Sequence, residues 1–229
     1  MKINPYLFLI LLLSTCKLSA QSRDFQVWNA LALNQDLKKG FDLSAQYQSR
    51  IDKDISRFRG SYMSVSLGYK LNKNWTTEAG IRYSTSNRWD RIRYSVGIGR
   101  SWKWDKLEIS AKAKYQYQYY LESLPEWGIN PPAQNFRLKL GAEQKIIKKL
   151  KVFVSTEPMF RYKSSEFYFR RLRNTAGIKW SPIKRTSFEA SYIWQPQWNS
   201  DAVIQVLQFN VSYDLPKMGK KKVKEKASK

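Results

Sequence analysis

Leu107-Glu108-Ile109-Ser110-Ala111-Lys112-Ala113-Lys114-Tyr115-Gln116-Tyr117-Gln118-Tyr119-Tyr120 alternates apolar and polar residues for fourteen positions. Successive side chains of a β-strand point to opposite faces, so Leu107, Ile109, Ala111, Ala113, Tyr115, Tyr117 and Tyr119 form one oily face. Glu108, Ser110, Lys112, Lys114, Gln116 and Gln118 form the wet one. The same period of two recurs along the chain, from about Asp24–Leu33 through Phe41–Ile51, Gly60–Leu71, Trp75–Thr85 and Arg91–Trp102. Beyond the quoted stretch it continues in Asn135–Lys145, Leu150–Tyr162, Phe167–Trp180, Thr186–Gln197 and Ala202–Leu215. Runs of about eleven residues at 3.3 Å, tilted by about 40°, rise roughly 28 Å, enough to cross the apolar band of an outer membrane. The pattern predicts an all-β fold, a transmembrane antiparallel up-and-down β-barrel of the outer-membrane type.

Connections support that reading. Short turns at Asn72–Asn74, Lys103–Lys106, Ile146–Lys149 and Ser181–Arg185 alternate with longer loops, the longest being Leu121–Gln134. Outer-membrane barrels keep short turns in the periplasm and long loops outside. Aromatic residues gather near the ends of the oily stripes, as Trp75, Tyr83, Trp102, Tyr119, Tyr162, Trp180 and Trp194. Interfacial girdles account for them better than the dry core of a soluble sandwich does. From Phe41 onward the oily face carries two charges, Arg100 and Arg170, both near strand ends where they can snorkel. Gly60, Gly68, Gly80, Gly97, Gly99, Gly141 and Gly177 all fall on the polar face, where they leave room in a narrow interior.

Parity is the difficulty. Eleven runs can be counted, whereas bacterial single-chain barrels have even strand numbers. The sequence therefore predicts about ten strands, within ten to twelve, with Phe41–Leu215 forming the wall and the first run as an accessory.

Residues 1–20 read as a cleaved export signal: Lys2, an apolar Tyr6–Leu13 stretch, and Leu18-Ser19-Ala20 before Gln21. Leu13-Ser14-Thr15-Cys16 resembles a lipobox, but threonine before the cysteine suits one poorly. Residues 21–215 form the barrel domain, and 216–229 a basic tail expected to be disordered. Bacterial outer membrane is the expected location. Cys16 is the only cysteine and there is no histidine, so the commonest general base and metal ligand are both lacking. Asp52-Lys53-Asp54 falls far short of a calcium loop. No cofactor, metal site or catalytic residue is expected.

The formal charge of +23 falls to +21 without Lys2 and Lys17. An exported chain meets lipopolysaccharide and phospholipid headgroups rather than nucleic acid, so outer-membrane lipids and the barrel-assembly machinery are the expected partners. The wet face holds fifteen cations against seven carboxylates. Arg161, Arg171 and Arg173 lie on neighbouring strands near one loop, and Arg82 and Arg93 on another adjacent pair. One reading has Glu78, Glu143, Glu157 and Glu189 pair with arginines in a network that braces a filled lumen. The other makes the surplus arginines a positive constriction for small anionic solutes. The expected function is thus a non-enzymatic barrel, either a narrow anion-preferring channel or a closed structural barrel. The rival is an envelope-modifying enzyme without a histidine base.

Taken together, several motifs resemble the outer-membrane barrel family called domain of unknown function 2490, over about Phe25–Leu215. They are Trp28, Leu67-Gly68-Tyr69-Lys70-Leu71, Gly80-Ile81-Arg82-Tyr83, Arg137-Leu138-Lys139-Leu140, Glu157-Pro158-Met159-Phe160-Arg161 and Phe169 to Arg173 before Gly177. The resemblance implies location and fold and supplies no activity. The lysine tail has no counterpart in that family pattern.

Overall fold

The computed structural model describes residues 23–86, 90–121, 132–163, 165–198 and 202–216. The expected export signal, most of the longest loop and the lysine tail from Lys217 lie outside the described residues. Eleven strands form one closed barrel. They are β1 (Arg23–Asp36), β2 (Phe41–Asp52), β3 (Arg57–Lys70), β4 (Trp75–Ser86), β5 (Arg91–Trp104) and β6 (Leu107–Tyr120). The remainder are β7 (Ala133–Ile147), β8 (Leu150–Lys163), β9 (Glu166–Trp180), β10 (Thr186–Pro196) and β11 (Val203–Asp214). Every consecutive pair is antiparallel.

Closure is different. β1 pairs with β11 in parallel, from Arg23 opposite Val203 to Asn34 opposite Asp214. The first strand is therefore part of the wall, not an accessory. Its polar Asn29 and short oily run look weak in isolation, but a full ladder to β2 on one side and β11 on the other satisfies its backbone. On the lumenal side of this seam, Trp28, Ile193 and Val206 pack as a small buried cluster with Ile204 beside it.

The protein is built inside out. Its largest fully buried side chains are Gln26, Gln48, Gln118, Gln195 and Val206, while Leu31, Met63, Val96, Leu140 and Phe209 lie exposed on the outer wall. A lipid-facing exterior resolves the arrangement. Near the loop end of the outer wall, Tyr115, Phe136, Phe167, Phe160, Phe169 and Trp198 make a continuous run of ring contacts at 5.1–6.0 Å. At the turn end, the outward Arg100 lies over the Trp75 and Trp102 rings at 5.3 and 4.9 Å. Its charge is thus held at the girdle by cation–π contact.

Two β-bulges break the alternation toward the loop end, besides a third irregularity at the β7–β8 turn that leaves Ile146 extra. Between β2 and β3, Arg50 faces Gly60 and Ile51 faces Phe58, leaving Arg59 as the extra residue. Between β8 and β9, Met159 faces Arg171 and Phe160 faces Phe169, leaving Arg170 extra. A bulge puts two residues against one and re-aims the side chains there. Gly60 makes the first possible: its φ is +141° and a Cβ would lie 2.2 Å from the Thr85 carbonyl oxygen.

Candidate functional site

The lumen contains a cavity of about 480 Å³. Its lining begins at the loop end with Arg59 and Arg91 and runs inward to Phe153 and Glu189. Ten arginines line it: Arg50, Arg59, Arg82, Arg91, Arg93, Arg137, Arg161, Arg170, Arg171 and Arg173. Lys112, Lys114 and Lys139 add three more cations, against only the carboxylates Glu157 and Glu189.

All six residues that strand parity nominated are here. Arg82 on β4 sits directly across from Arg93 on β5. Glu157 on β8 faces Arg173 on β9, and Arg161 and Arg171 lie on the same strand pair toward the loop. Two arginines were misplaced or missed by parity. Arg170, expected on the oily face, lines the cavity, as does Arg59. Each is the extra residue of a bulge, so counting by twos assigns it to the wrong face. The adjacent pair Arg170-Arg171, an alternation broken by a repeated charge, is the signal in the sequence that marks the second bulge.

Charge is sorted along the barrel axis. The arginines occupy their strands from the midpoint to the loop end, and most lumenal carboxylates lie toward the turns. The carboxylates pair mainly with lysine, contrary to the expected arginine network. Glu78 bridges to both Lys112 and Lys114. Glu143 pairs with Lys151 at 2.5 Å. Glu157 alone of the four follows the expectation, accepting from Arg137 at 2.7 Å and from Arg173 at 3.4 Å. Short lysine–carboxylate contacts fill the turn half.

Among the described residues, Arg50, Arg82, Arg91, Arg93, Arg161, Arg170 and Arg171 have no carboxylate within ion-pair distance. A guanidinium keeps its charge under all ordinary conditions, so the chamber's field is fixed and positive. The rim carboxylates are engaged: Asp52 accepts from Arg57 at 2.8 Å, and Asp54 Oδ1 accepts from the Phe25 N–H at 3.0 Å. Among the described residues no cluster of three metal-ligating side chains occurs.

Solved structures with the same architecture are outer-membrane barrels. A NanC porin aligns with a TM-score of 0.57 and 13% identity, covering 84% of this chain and 99% of that one. A bacterial polysaccharide outer membrane secretin aligns with a TM-score of 0.53 and 10% identity, over 76% of this chain and 64% of that one. At such identities the likeness is one of fold. No curated protein matches the sequence. The family described as "Protein of unknown function (DUF2490)" matches residues 25–205, and the chain, an outer-membrane-type β-barrel with an arginine-lined chamber, belongs to it.

Proposed function

We propose that the protein is a non-enzymatic barrel of the bacterial outer membrane whose lumen admits small anions in preference to cations. The observation that carries this reading is the chamber wall, with thirteen cationic side chains and two carboxylates. Unneutralised charge in a constricted interior costs several kcal/mol per ion, so a lumen serving stability alone would pair or omit it. The porin-like architecture supports the reading at the level of fold. Outer-membrane lipids and lipopolysaccharide surround the barrel, and the barrel-assembly machinery inserts it.

A closed structural barrel is the second reading. It is favoured by the turn half, where Glu143 pairs with Lys151 and Glu78 neutralises Lys112 and Lys114 of the chamber wall. The test is single-channel recording of the refolded full chain in a planar bilayer under a potassium chloride gradient. Discrete steps reversing near the chloride equilibrium potential are expected. No conductance from demonstrably inserted protein would leave the closed barrel. The enzymatic alternative needs a working carboxylate. An envelope lipid or glycan turned over by wild type but not by a folded Glu157→Gln variant would establish it.

A further inference from the structure

Several of the chamber's arginines are held in place by groups that carry no charge, although Arg137 and Arg173 also reach Glu157. Arg93 donates through Nε and Nη2 to Gln118 Oε1 at 3.1 and 2.5 Å. Arg161 Nε donates to Asn135 Oδ1 at 3.1 Å. Arg173 Nε donates to Gln195 Oε1 at 3.1 Å, and Arg50 Nε to Gln48 Oε1 at 2.9 Å. Ring faces do the same elsewhere: Arg50 lies 3.9 Å from the Trp28 centroid, and Arg82 3.8 Å from that of Tyr62.

The four carboxamides are almost wholly buried, at 2% exposure for Gln48, 0% for Gln118, 6% for Asn135 and 1% for Gln195. A carboxylate of the same shape would grip each guanidinium more tightly and cancel its charge. A carboxamide orients the fork through its Nε edge and leaves the charge, with the remaining N–H groups, available to something else. The device recurs on separate parts of the wall, on β2, β6, β7 and β10.

Among the unpartnered buried polar atoms of the described residues, nitrogen donors outnumber the acceptors Asp24 Oδ1 and Asn210 Oδ1. Of the five buried nitrogen donors left without an acceptor among the described residues, four are lumenal: Arg91 Nε, Arg171 Nε, Gln118 Nε2 and Asn135 Nδ2. Buried donors of this kind are rare in native proteins and call for an explanation. Arg171 also stands within electrostatic reach of Arg170, Arg173, Arg161 and Arg50, a concentration of like charge that a bound anion would relieve. The cavity's roughly 480 Å³ falls in the range of small-molecule sites.

We propose that Gln48, Gln118, Asn135 and Gln195 are positioning residues that aim the arginine forks, and that the chamber binds a small polyanion carrying two or more carboxylate or phosphate groups. This rests on the anion-preferring reading and goes beyond it, from a diffuse field to a built site. Isothermal titration calorimetry on the refolded full chain in zwitterionic micelles tests it, with tripolyphosphate, citrate and acetate as probes. Saturable binding of tripolyphosphate or citrate is expected, with acetate at least about tenfold weaker; whichever polyanion binds names the acid group. Gln118→Glu and Gln195→Glu are each expected to weaken that binding by about tenfold, the scale of one charge-assisted hydrogen bond.

Lys103→Gln removes the same unit of positive charge from an exposed side chain (68%) at the turn end, and is expected to change affinity by less than about twofold. Equal weakening by Lys103→Gln, or no saturable binding to wild type, would overturn the proposal. Heat-modifiable gel mobility establishes that each variant is folded, with Asn135→Asp replacing any that is not. Reversal potentials on the same preparations separate the two ideas. Anion selectivity without saturable binding removes the site and keeps the channel reading, whereas cation selectivity removes both.

Discussion

Glu157 sits at the junction of the two electrostatic regimes of the lumen. It is 6% exposed and is gripped by Arg137 through Nε at 2.9 Å and Nη2 at 2.7 Å, with Arg173 on its other oxygen. Glu157→Gln leaves two arginines without their counter-charge, and removing one partner of a buried pair costs about 3 kcal/mol. Denaturant unfolding of the variant from lipid vesicles is expected to register that loss, and its reversal potential is expected to move further toward chloride. Gly177 is a steric counterpart. A Cβ there would meet Ser191 Cβ at 2.6 Å and Phe153 Cζ at 2.7 Å, so Gly177→Ala is expected to lower stability by about 1–3 kcal/mol in the same assay. Side-chain parity places Arg82, Arg93, Arg161, Arg171, Arg173 and Glu157 on the lumenal face, where all six line the chamber. It could not separate Gln118 or Gln195 from any other wet-face residue. A glutamine that aims an arginine and one that faces water look alike until the neighbouring strand is known.

Alternation made each strand legible because lipid on one side and a polar lumen on the other impose it on every wall residue. Observed strand ends differ from the expected ones by a few residues, where turns relax that demand. The bulges stayed hidden for a related reason. One extra residue shifts the count by one, and the pattern resumes undisturbed on either side. The extra residues of the two loop-end bulges, Arg59 and Arg170, each add a cation to the chamber on its loop side. The double variant Arg59→Gln, Arg170→Gln removes two fixed charges while keeping the length and bulge of each strand. It is expected to fold normally and to lower the anion-to-cation permeability ratio by about twofold or more. Reversal potentials at matched salt gradients measure the change. An unchanged ratio would mean that the selecting charges lie deeper, around Arg93 and Arg173.

At the scale of the whole molecule, the parallel seam determines the architecture. The sequence presented eleven runs, and the usual even count argued against using all of them; pairing between chain ends, which closes the barrel, leaves no local trace in either end. A disulfide tests the closure directly. Ala32 on β1 lies opposite Ser212 on β11, both small residues. Cys16 is the chain's only natural cysteine and lies before β1, in the expected export signal. Oxidised Ala32→Cys, Ser212→Cys protein is expected to run as a cross-linked monomer on a non-reducing gel, and a barrel closed by β2 against β11 would not cross-link. An odd number of crossings has a further consequence. Arg23, where β1 begins, stands at the long-loop end of the barrel, and Asp214, where β11 stops, stands at the short-turn end. The protein is thus a one-way thread through the membrane: an epitope inserted before β1 and another after β11 would answer to antibodies on opposite sides of an intact cell envelope.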